Sequence, residues 1–146
     1  NTIKVGAEVS GQITDVYVDF NSPVRAGQLL AEIDPTRFRA RMEQAQAQLN
    51  LVRANLLQAE AATARARVDL TTQQRDFDRK KALAARDFLS EAGLDASASA
   101  LAAARATLAS ATAQVTAARA QIAQSQAELE TAQLDLRRTR IIAPTS

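Results

Sequence analysis

Residues 94–136 read LDASASALAAARATLASATAQVTAARAQIAQSQAELETAQLDL. Leu94, Leu101, Leu108, Val115, Ile122, Leu129 and Leu136 fall seven apart, and Ser97, Ala104, Ala111, Ala118, Ser125 and Ala132 each follow three residues later. That spacing places both sets on one side of an α-helix, as the a and d positions of a coiled coil, large at a and small at d. A helix with such a stripe needs a partner to cover it.

The partner lies upstream. Met42, Leu49, Leu56, Thr63, Leu70, Phe77 and Ala84 repeat the a positions, with Ala45, Val52, Ala59, Ala66, Gln73 and Lys80 at d. In an antiparallel pair a faces d′. A register in which paired residue numbers always total 174 sets a large side chain against a small one at almost every layer, which interdigitates well. It puts Leu49 opposite Ser125, Val52 opposite Ile122, Leu56 opposite Ala118, Ala59 opposite Val115, Ala66 opposite Leu108 and Leu70 opposite Ala104. The expected packing residues are Leu49, Val52, Leu56, Leu70, Phe77, Leu101, Leu108, Val115, Ile122 and Leu129. The implied apex is Arg86-Asp87-Phe88. Near it the seam turns polar at Gln73 and Lys80, and Ser90-Glu91 suits the cap and first turn of a second helix. Each arm then runs about 48 residues, on the order of 70 Å at 1.5 Å per residue.

Composition agrees with long helices. Between Thr36 and Ala143 there is no proline, and Gly93 is the only glycine. Of the 146 residues 47% are hydrophobic, but 33 are alanine and 3% of the chain is aromatic, so a large globular core is not expected. With no His and no Cys, the chain lacks the usual ligands for zinc or haem and the usual thiolate or histidine-based nucleophiles. No catalytic residue, cofactor or metal is therefore expected.

Eighteen basic against sixteen acidic residues leave a net charge of +2, which nominates no nucleic acid partner, and stacking aromatics are scarce. Arg75, Arg79, Lys80, Lys81 and Arg86 interleave with Asp76, Asp78 and Asp87, the pattern of a solvated face. No run reaches the roughly 18 apolar residues of a membrane span, so any anchor or signal peptide is expected outside this chain.

Residues 1–34 are different in kind. They hold three of the four glycines, and Val9, Gly11, Ile13 and then Val16, Val18, Phe20 alternate with period two, the phase shifting at Thr14-Asp15. This reads as β structure. Asn21-Ser22-Pro23 and Ala26-Gly27 read as turns before Leu29, Leu30 and Ile33. Asp34-Pro35 suits a helix start, the aspartate capping and the proline in the first turn. At the far end Arg137, Arg138 and Arg140 suit a helix C-terminus, and Ile141-Ile142 with Pro144 mark a return to extended chain.

A β segment, a long helical hairpin and a second β segment together resemble the periplasmic adaptors, or membrane fusion proteins, of tripartite efflux pumps and type I secretion systems. The resemblance rests on Gly11, Val16 and Val18, then on Val24, Gly27, Leu30, Ile33, Asp34 and Pro35. At the other end it rests on Leu136, Thr139, Ile141, Ala143 and Pro144. It implies a mainly α fold in which the hairpin interrupts a β lipoyl-like barrel-sandwich domain. The expected division is 1–34 for the first half of that domain, 35–139 for the antiparallel hairpin with its tip near 86–88, and 140–146 for the truncated start of the second half. Val16, Val18, Leu30 and Ile33 are then expected to lack their usual cover.

The resemblance also implies a function. The family's tip pattern, Arg-x3-Leu-x6-Ser, matches Arg79, Leu83 and Ser90, with Asp95 where the family often carries an acid. Arg79, Leu83 and Ser90 are expected to engage a TolC-like outer-membrane channel. Other implied partners are an inner-membrane transporter, ABC type being favoured by likeness to adaptors of macrolide pumps, and further adaptor protomers in a ring. The implied location is the periplasm, with attachment to the inner membrane through regions outside this chain. Lipoylation is not implied, since Lys4, Lys80 and Lys81 are poor candidates. Two other readings remain: a structural coiled coil that oligomerises without a channel partner, and a lipoyl-type carrier domain.

Overall fold

The computed structural model describes residues 5–19 and 22–144. Lys4, Phe20 and Asn21, and residues 1–3 and 145–146 of the expected β segments, lie outside the described residues. The elements run β1 (Ile13–Val16), β2 (Leu29–Ile33), α1 (Thr36–Ala84), α2 (Glu91–Arg138) and β3 (Arg140–Ile142). Two long helices and a small sheet are thus the architecture, a helical hairpin with part of a lipoyl-like domain. The chain divides into two compact units, Asn1–Asn50 with Ala123–Ser146, and Leu51–Ile122.

In the first unit β2 is the middle strand, antiparallel to both neighbours. Ile13 pairs with Ile33 and Val16 with Ala31, and the ladder slips between Ile13 and Asp15. That slip sits where the period-two pattern changes phase, because an extra residue moves every following side chain to the opposite face. Residues 25–28 form a turn closed by Gln28 N–H donating to the Arg25 carbonyl at 3.0 Å. Gly27 there has φ +77°, a conformation that suits glycine.

β1 is shorter than the period-two pattern predicts. Val9, Gly11 and Val18 lie outside it. Gly11 lies against the Ile33 side chain, so closely that a Cβ would overlap the Ile33 γ-methyl. Just before β1 the Gln12 carbonyl accepts Asp34 N–H at 2.8 Å, which carries the Ile13–Ile33 register one residue further back. The expectation that four apolar residues lack cover also needs correction. Leu30 and Ile33, in the middle strand, are buried, at 9% and 2% exposure. Val18 is half-buried, whereas Val16 stays 65% exposed.

Asp34 starts α1. Its Oδ1 accepts from Thr36 N–H at 3.0 Å and from the Thr36 hydroxyl at 2.6 Å, satisfying a donor that the first turn leaves free. These two bonds hold the Asp34 carboxyl below the usual carboxylate range. At the other end Thr139, 1% exposed, donates its hydroxyl to the Leu136 carbonyl at 2.7 Å and accepts Ile33 N–H on its own carbonyl at 2.9 Å. It joins the end of α2 to β2. Leu49, Ser125, Leu129 and Ala132 form the buried seam of the helical parts of this unit.

In the second unit the seam follows the heptads. Val52, Thr63 and Ala66 on α1, and Ser97, Leu101, Ala104 and Ala111 on α2, are buried. Leu56, Ala59, Leu70, Gln73, Phe77, Lys80, Ala84, Leu94, Leu108, Val115, Ala118 and Ile122 are half-buried. Leu57 and Val68, off the seam, are each 68% exposed. Cross-helix bonds agree with the constant-sum register. The Ser97 hydroxyl, opposite Phe77 in that register, donates to the adjacent Asp76 at 3.5 Å. Arg105 meets Gln74 at 3.0 Å and Arg119 meets Glu60 at 3.5 Å. Both pairs join e positions, which flank the seam of an antiparallel coiled coil.

Candidate functional site

The turn between the helices is built from two caps. Ala84 ends α1, after which Phe88 N–H donates to the Leu83 carbonyl and Asp87 N–H to the Ala84 carbonyl, each at 3.1 Å. With Asp87 at φ +60°, this is a Schellman motif: a left-handed residue lets the chain fold back onto the last free carbonyls. Asp tolerates the left-handed region better than most side chains do. Ser90 then caps α2. Its hydroxyl accepts Gly93 N–H at 3.3 Å, and its carbonyl accepts the N–H groups of Gly93 and Leu94 at 3.1 and 3.2 Å.

Leu89 and Leu94 stand at the two positions of a hydrophobic staple, and both are half-buried. Gly93 fits here because an added Cβ would come within 3.1 Å of Leu89 Cδ1. The turn is thus closed on both sides by bonded backbone.

Of the predicted site residues, Arg79 is exposed and acts on Asp76 through space. Leu83 is 40% exposed, and its neighbour Ala84 occupies the seam. Arg79 and Leu83 lie four apart on α1, one above the other on the same face. Ser90 is exposed and engaged in its cap. Asp95, also exposed, lies in the first turns of α2.

The basic cluster is sorted by its partners. Lys80 binds Asp76 at 2.8 Å, four residues apart, and Asp78 accepts from Gln74 at 3.0 Å. The Asp76 carboxyl lies below the usual range, chiefly through the Lys80 hydrogen bond. Arg75, Arg79, Lys81 and Arg86 are left exposed, as are Asp78 and Asp87. Phe88 was not singled out by the sequence pattern beyond its place at the apex. It is 77% exposed, and the signal for it was an aromatic inside a three-residue break between two heptad runs.

Among the described residues no group of acidic, His or Cys side chains is arranged to hold a metal. Among the same residues no helix is long and apolar enough to cross a membrane.

The family model described as RND MFP, barrel-sandwich hybrid domain, covers residues 1–146, and the chain belongs to that family of membrane fusion proteins. It is 37% identical to the multidrug resistance protein MdtA of Cronobacter turicensis, over 70% of this chain and 25% of that protein. To the macrolide export protein MacA of Yersinia pestis it is 36% identical, over 68% of this chain and 25% of that protein. The crystal structure of MacA from Actinobacillus actinomycetemcomitans superposes with a TM-score of 0.72 and 33% identity, covering 99% of this chain and 40% of that one. The chain therefore spans about a quarter of the curated relatives it matches.

Proposed function

We propose that this chain is the hairpin-bearing part of a periplasmic adaptor, bridging an inner-membrane transporter to an outer-membrane channel and assembling with further adaptor copies. The observation that carries the reading is the family match over residues 1–146, joined to likeness with proteins named for multidrug resistance and macrolide export. In this reading the protein works in the periplasm by binding, and its contribution to transport is geometric. Residues 1–34 and 140–146 belong to the lipoyl-like domain, and 35–139 form the hairpin it carries.

The turn is the channel-binding end. Arg79 supplies a guanidinium whose five donors suit backbone carbonyls or carboxylates, and Leu83 one turn along supplies apolar area. Ser90 holds the start of α2. An ABC-type transporter is the reading favoured by the Ile33–Phe38 and Thr139–Pro144 stretches. The family description names RND, and the identities to MdtA and MacA, 37% and 36%, do not separate the two.

The test is co-purification of the intact protein with a TolC-like channel, comparing the parent with Arg79→Ala and Leu83→Ala. Both positions are exposed, so helicity and thermal midpoint should hold while channel binding falls. A structural coiled coil without a channel partner predicts that neither substitution changes any association.

A further inference from the structure

Phe88 is the most exposed of the large apolar side chains among the described residues, at 77%, and Leu83 in the last turn of α1 is 40% exposed. A Schellman motif usually packs these two positions, C″ and C3, against each other. Here the backbone of the motif is complete, with Phe88 N–H bonded to the Leu83 carbonyl at 3.1 Å, yet the ring remains largely in water. The ring is presented by a segment held at both ends: Asp87 in its left-handed conformation before it, and the Ser90 cap after it. An aromatic side chain loses little rotamer freedom on binding, so a ring on a fixed turn makes an efficient anchor.

We propose that Phe88 is a further docking residue of the hairpin tip, inserting into an apolar crevice between helices of the outer-membrane channel, the rim of that crevice carrying polar groups of both signs. This rests on the reading of the turn as the channel-binding end. Exposed charges of both signs surround the turn, Arg79, Lys81 and Arg86 beside Asp78, Asp87, Glu91 and Asp95, so the rim that meets them is mixed in sign. A protein crevice fits better than a lipid surface. Residues 75–95 hold five basic and five acidic side chains, and an anionic membrane attracts segments with a clear basic excess.

The experiment replaces Phe88 with alanine and, separately, with the photo-crosslinking residue p-benzoylphenylalanine in the intact protein. Binding to a detergent-solubilised TolC-like channel is measured beside Arg79→Ala and beside anionic phosphatidylglycerol vesicles. The expected result is at least a tenfold loss of channel affinity for Phe88→Ala, an unchanged melting curve, and crosslinks from position 88 to the channel. Full affinity for Phe88→Ala with weakened binding for Arg79→Ala overturns the anchor and leaves the tip reading standing. Absence of channel binding by the parent protein overturns both. Vesicle binding that depends on Phe88, without channel crosslinks, overturns the proposal in favour of a lipid contact.

Discussion

Leu101 and Val16 are both aliphatic residues in regular structure, yet one is 4% exposed and the other 65%. The difference lies in how each element finds its cover. A heptad seam specifies its own partner: the residue opposite each a is a d on the other helix, and both helices are present here. A short strand specifies a ladder through its backbone but leaves the cover of its faces to whatever packs there. The ladder from β1 to β2 is formed even where Ile13 and Val16 remain exposed, at 54% and 65%. Backbone pairing and side-chain burial are separate events in the sheet and a single event in the hairpin.

The sharpest test of that contrast is a pair of truncations. Leu101→Ala should cost about 2–4 kcal/mol, the usual range for emptying a buried leucine site. Val16→Ala should stay within about 0.5 kcal/mol, as for exposed positions. Urea melts followed by helical circular dichroism read both, and equal costs would break the comparison. A smaller effect is expected from Gly11→Ala, where the new methyl presses on the buried Ile33 side chain. Overpacking of this kind costs about 1–3 kcal/mol, and amide exchange should show faster opening of β2 with little change in the middle of the helices.

Removing the cap with Ser90→Ala should cost about 1 kcal/mol, with the loss of amide protection concentrated at Gly93 and Leu94. The smallest effect is acid lability. Asp34 and Asp76 both have folded-state pKa values below the ordinary one, so their contribution is complete above the unfolded pKa and is lost as pH falls through the folded value. Thermal midpoints should hold from pH 8 to 5 and decline only below about 4. Asp34→Asn should flatten that decline.

What the sequence revealed follows the same division. Every a and d position from Met42 to Leu136 that the period-seven spacing selects is at least half-buried, because in a two-helix seam spacing alone decides which side chains face inward. In the sheet the phase change at Thr14-Asp15 was legible as the slip in the ladder. The true start of β1 was not, because Val9 and Gly11 continue the same period-two spacing, which carries no mark of where pairing with β2 begins. At the turn, Ser90 was legible from residue type. The left-handed backbone at Asp87 was not, because an Asp-Phe pair carries no mark of that conformation.

The pairing of β2 with β3 also sets an order of events. Leu29 meets Ile142 across more than a hundred residues of intervening chain, a closure whose entropy cost an unfolded chain would bear alone. Zipping the two helices from their turn shortens that distance through contacts local to the turn before either strand is engaged, the faster route for a chain. The third strand should therefore dock last. Substitutions in Arg140–Ile142 are expected to accelerate unfolding while leaving the refolding rate unchanged, and a slowed refolding rate would place strand docking ahead of helix pairing.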